Sequence, residues 1–144
     1  MRNYGWKLAA LGCLSVIFFS STSTGGEWAM AGFRWMASRF LVHLHEGTPP
    51  YRTVSFLAEK CFHLIAFAVF AMLVWKVTPE ILWKPFAILA LGLAVGIASE
   101  LLQSLFPGRD PTVRDVAINL AGTVLGAAIS MTCFKSRSQP LATS

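Results

Sequence analysis

The chain has 144 residues, of which 55% are apolar and only 13% charged, with a net charge of +5. A soluble domain carries about a quarter charged residues, so this composition excludes a disordered chain, a two-domain soluble enzyme and a disulfide-stapled secreted module, and it points to lipid as the solvent. The basic residues are scattered between apolar runs without the cluster that a nucleic-acid footprint needs, so no nucleic-acid partner is expected.

A membrane-spanning helix needs about 20 mainly apolar residues. The first such stretch runs from about Tyr4 to Thr22. Arg2 and Lys7 ahead of the apolar run Leu8 to Phe19 give it the look of a signal peptide. Its small-residue end, Ser21-Thr22-Ser23, is a weak cleavage site, and the segment is expected to remain as an anchor. Next comes a segment of a different kind, Glu27 to Glu46. Phe33, Met36, Ala37, Phe40, Leu41 and Leu44 recur there at helical spacing, while Arg34, Ser38, Arg39 and His43 fall mostly off that stripe. This pattern predicts an amphipathic helix in the interface plane, ended by Gly47-Thr48-Pro49-Pro50.

A second span is predicted from about Val54 to Trp75, a third from Ile81 to Leu105 and a fourth from Val113 to Phe134. In the turn before the third span, Thr78 is read as its N-cap and Pro79 as its first residue. Trp75 and Trp83, with Lys76 and Lys84, suggest an interfacial aromatic belt with snorkelling lysines. The predicted fold is therefore an all-α integral membrane bundle of four transmembrane helices, with an interfacial amphipathic helix between the first and second. It forms a single domain over residues 1–136, followed by a polar tail at 137–144. Basic residues near both termini and in the second short turn place those parts on the cytoplasmic side of a plasma membrane.

The informative residues are polar groups inside or at the ends of the spans, which are costly in lipid and are functional candidates by default. Lys60, Glu100 and Asn119 each lie 16 residues from a basic residue at the predicted inner end, and so about 24 Å from it at the helical rise. His63 and Asp115 fall at roughly 20 and 30 Å by the same measure. All of them occupy one layer near the outer interface. Lys60 and His63, Glu100 and Gln103, and Asp115 and Asn119 are three or four residues apart, so each pair shares a helix face. Gly92-x-x-x-Gly96 and Gly122-x-x-x-Gly126 are close-packing motifs that bring the backbones together below that layer.

These blocks resemble the VanZ-like family of membrane proteins. Glu59-Lys60-Cys61-Phe62-His63 is similar to the family's acidic-Lys-x-x-His motif. Glu100-Leu101-Leu102-Gln103 with Phe106-Pro107-Gly108-Arg109 is similar to its second block, and Asp115 to Asn119 with Gly122 and Gly126 to its third. The resemblance covers about Leu8 to Ile129 and implies a small multi-pass protein of the bacterial cell envelope. It links the chain to the family's namesake in resistance to the glycopeptide teicoplanin.

The candidate roles follow from residue chemistry. Lys60 and Arg109 suit an anionic group, and His63, with an unperturbed pKa of about 6.5, suits proton transfer with Glu100 as its partner. Asp115 fits a capping box with Thr112 and also a site role. Gln103 and Asn119 suit neutral polar parts of a ligand. Glu100 is expected to pair with Lys60 or Arg109. The expected ligand is an anionic amphiphile reached from the bilayer, such as a lipid-linked envelope precursor. The same residues also suit a structural hydrogen-bond network in a non-catalytic assembly protein, so catalysis stays open. No cofactor and no metal are expected: His43 and His45 form only an isolated HxH, and Cys13, Cys61 and Cys133 are far apart without CxxC spacing. The oligomeric state is not legible.

Overall fold

The computed structural model describes residues 4–40, 48–107 and 111–135. Among them are five helices and no strand: α1 (Tyr4–Ser20), α2 (Ser23–Phe40), α3 (Pro49–Val77), α4 (Lys84–Gln103) and α5 (Val113–Lys135). α3, α4 and α5 are each long and apolar enough to cross a membrane. α1 and α2 meet that test only together, across a 93° bend, so the chain has three spans, or four when the bent pair counts as one. The tail beyond Lys135, His43 and His45 lie outside the described residues.

Two helix boundaries differ from expectation, each because of a proline. Pro49 and Pro50 do not end the amphipathic segment but open α3, behind an extended Thr48 (φ −75°, ψ 153°). A helix's first turn leaves its N–H groups unpaired, so residues without one are well suited there. Thr78 closes α3 instead of opening α4: its N–H and its hydroxyl both donate to the Val74 carbonyl, at 2.9 and 2.8 Å. Pro85, in the first turn of α4, then plays the part expected of Pro79.

The bend between α1 and α2 is built from hydroxyls and a glycine. Ser20 and Ser21 donate back to the Ile17 carbonyl, and Thr22 accepts the Gly25 N–H at 3.1 Å as the N-cap of α2. A Cβ on Gly25 would collide with the Phe19 carbonyl. α2 therefore starts at Ser23, four residues before the expected start.

α5 packs along both α3 and α4. Its own glycines face α3: a Cβ on Gly122 would strike the Leu64 carbonyl, and one on Gly126 the Ala68 carbonyl. The glycines of α4 face α5, with Gly92 against Thr123 and Gly96 against the Asn119 Cβ. Without a hydrophobic force between helices in lipid, this close approach is what holds spans together. The core gathers Ile17, Phe67, Phe70, Val74, Trp75, Ile88 and Val95. A second cluster of Phe33, Ala37 and Tyr51 joins α2 to α3. Large apolar side chains such as Leu8, Ile65, Val69 and Leu101 point outward, as lipid-facing residues do.

The expected belt holds only in part. Trp83 is exposed, but Trp75 is buried in the core. Lys84 does not snorkel outward: its ammonium is buried over the Trp75 ring at 4.7 Å and paired with Glu80 at 2.6 Å. A desolvated aromatic face and a carboxylate one turn back hold it better than a reach to water.

Candidate functional site

The close α3–α5 contact sets up the site, because it places Lys60 of α3 beside the first turn of α5. Lys60 Nζ lies 2.8 Å from Asp115 Oδ1 and donates to Oδ2 at 2.9 Å. It also donates to Glu59 Oε1 at 3.2 Å and sits over the Phe56 ring at 5.2 Å. Arg114 covers the same ring at 4.8 Å. The expected Lys60–Glu100 pair does not form. α5 lies between the two side chains' needs: Asp115 is on the helix that the glycines press against α3, whereas Glu100 is on α4.

Glu100 has another task. At the start of α5, Thr112 caps the Asp115 N–H at 3.2 Å, the forward half of a capping box. In a complete box the acid at the third helical position, here Asp115, reaches back to the cap residue's own N–H. Here Glu100 of α4 takes that N–H at 3.1 Å. Asp115 is thereby released to pair with Lys60.

One turn further in, His63 Nδ1 lies 3.1 Å from Asn119 Oδ1. Asn119 is fully buried, and its Nδ2 has no hydrogen-bond partner among the described residues; the same is true of Glu100 Oε1. In the tautomer that carries its proton on Nδ1, the ring donates to the Asn119 oxygen and Nε2 keeps its lone pair. Gln103 is buried one turn beyond Glu100, at the end of α4. Arg109 lies outside the described residues. The structure thus joins Lys60 to Asp115 and His63 to Asn119, and ties Glu100 to the α5 cap. Among the described residues no hydrogen bond links His63 to Glu100, the expected acid/base partner.

Beside this layer is a cavity of about 350 Å³ between α2 and α3. α2 contributes Met30, Phe33 and Met36, while α3 contributes Phe62 together with Glu59 and His63. Its size is at the low end of ligand cavities, about 300–1,000 Å³, and the mixture of apolar wall and few polar groups is typical of them. Sequence reasoning missed both the cavity and Glu59 as part of its wall. Glu59 precedes His63 by four residues, so helical spacing alone puts them on one face. The contribution of α2 could not be read, because it depends on the 93° bend. No group of three or more metal-ligating side chains occurs among the described residues.

A family model described as VanZ/LLP1 matches residues 6–134 of the chain. Comparison with curated proteins and with solved structures gave no match.

Proposed function

The chain belongs to the VanZ/LLP1 family, and from that membership and the cavity we propose that this membrane protein takes up an amphiphile from the bilayer and acts on it by acid/base chemistry at His63. One observation carries the reading: the buried polar layer opens through His63 into an apolar chamber of about 350 Å³. The chamber suits a chain-like apolar moiety, and Glu59 and His63 suit its polar end. Asn119 holds the ring so that Nε2 is free to accept a proton from the ligand. Lys60, Asp115 and Glu100 brace the helices around that ring and supply its electrostatic surroundings.

In this reading α1 is the first span and α2 lies in the interface plane, in line with the bend between them. The polar layer is near the outer leaflet, and both termini are cytoplasmic. The amphiphile belongs to the cell envelope, and the activity bears on glycopeptide resistance. The test is a His63→Ala variant in a bacterial host, read as teicoplanin susceptibility together with membrane abundance. The expected result is loss of the phenotype at abundance within about twofold of wild type. An unchanged phenotype would overturn the proposal.

A second reading, a non-catalytic assembly protein, draws on the Lys60–Asp115 pair and the Glu100–Thr112 bond, both of which brace helices. It predicts that His63→Ala lowers abundance and phenotype in step. Against it stand Glu100 Oε1 and Asn119 Nδ2, which have no hydrogen-bond partner among the described residues, since a closed structural network would satisfy such buried atoms.

A further inference from the structure

The charge of the ligand's polar end can be taken from what faces the chamber. The anionic ligand expected above depended on Lys60 and Arg109 as free cations. Lys60 is held between two carboxylates, at 2.8 Å from Asp115 and 3.2 Å from Glu59, so its charge is already answered within the protein. Arg109 is not among the described residues. Of the side chains that line the chamber, two can ionise, Glu59 and His63, and neither carries a fixed positive charge.

Both present acceptors. In the tautomer that donates Nδ1–H to Asn119, His63 offers Nε2 as a lone-pair acceptor. Glu59 gives one oxygen to Lys60, and its side chain is still 42% exposed. Among the described residues named in these contacts the balance has the same sign, with the carboxylates of Glu59, Asp115 and Glu100 against Lys60 and Arg114. The wall hydroxyls of Ser20 and Ser55 already donate to the Ile17 and Tyr51 carbonyls, so an anionic head group would meet the Glu59 carboxylate with no cationic side chain in the chamber wall to receive it. An ammonium group has three donors and a positive charge, and matches both acceptors.

We infer that the amphiphile taken up between α2 and α3 carries an ammonium head, which docks on Glu59 and His63 while its apolar chain runs along Met30, Phe33 and Phe62. This inference rests on the amphiphile-binding reading above and sharpens it to a substrate class. It reverses the head-group charge expected from the sequence.

The test uses the full chain in phosphatidylcholine nanodiscs and three dodecyl probes, each with a photoreactive diazirine near the tail end. One ends in ammonium, one in phosphate and one in a hydroxyl. Crosslinks are located by peptide mass spectrometry. The ammonium probe is expected to label the α2 and α3 peptides around Met30 and Phe62 about tenfold more than the phosphate probe, a ratio within the reach of one hydrogen bond to a charged group. Glu59→Gln should bring the ammonium probe down to the level of the hydroxyl probe. Met30→Trp, which fills the chamber, should remove labelling by all three. If Glu59→Gln does not fold, the ratio between probes on the wild-type chain decides.

Equal or stronger labelling by the phosphate probe would overturn the inference while leaving amphiphile binding in place. An ammonium preference that survives Glu59→Gln would overturn it too, by placing the selectivity elsewhere. Labelling of the chamber no stronger than that of the lipid-facing α4 peptide would overturn both the inference and the binding reading.

Discussion

Lys84 is buried and Lys60 half-buried, and the contrast between them separates a structural ion pair from a site. Lys84 pairs with Glu80, four residues away and largely exposed, and lies on the Trp75 ring. Everything it needs comes from one turn and one adjacent helix end. Lys60 instead reaches across to a different helix, where Asp115 is almost fully buried. Its neighbourhood contains polar atoms on Glu100 and Asn119 without a partner among the described residues, and opens on a chamber. A local pair can be exchanged for apolar contacts with little consequence, whereas a pair between helices that also borders a cavity commits the whole bundle to its geometry.

Substitutions can break or sharpen this contrast. The largest effect is expected from Asp115→Ala, which leaves Lys60 only the half-exposed Glu59 as counter-charge and should cost about 3 kcal/mol, the low end for a broken buried pair, seen as a large drop in thermal unfolding midpoint and membrane abundance. Gly126→Val comes next: its branched side chain meets the Ala68 carbonyl and pushes α5 away from α3, at a cost of about 1–3 kcal/mol or more. That variant should weaken the Lys60–Asp115 pair without touching it. Combined with Asp115→Ala it should therefore add less than its single effect. Glu100→Ala leaves the Thr112 N–H unpaired and should cost about 1–3 kcal/mol, while Glu100→Gln keeps an acceptor there and should stay near wild type. The smallest effect belongs to Glu80→Ala, about 1–2 kcal/mol: Lys84 is buried, but Glu80 stands in the open, where water can take its place beside the ammonium. An Asp115→Ala cost as small as that of Glu80→Ala, measured in the same unfolding series, would erase the distinction between the two lysines.

What the sequence reveals follows the same division between local and non-local. The spans α3 to α5 are legible because run length and apolarity are properties of one segment, and the start of α5 at Val113 is marked by its Thr112 cap. The two glycine motifs are legible as close contacts, although not as to which neighbour each would meet. Partner choice is not legible. Whether Lys60 meets Glu100 or Asp115 depends on the rotation of three helices about their axes, and no spacing within one helix encodes that. Pro49 and Pro79 show another limit: a proline is equally at home after one helix and at the start of the next, so only tertiary packing assigns it. The amphipathic stripe of α2 marks Phe33 and Met36 as one face, but the stripe alone does not say that they wall a chamber.

The hairpin-tight turn at Gly25 has a consequence beyond its own geometry. A methyl group at that position would force the Phe19 carbonyl aside and open the elbow between the first two helices. Met30, Phe33 and Met36 all hang from the far arm of that elbow, so a single added carbon there would swing out three wall residues together. The volume available to a guest is thus governed from a site that no guest touches.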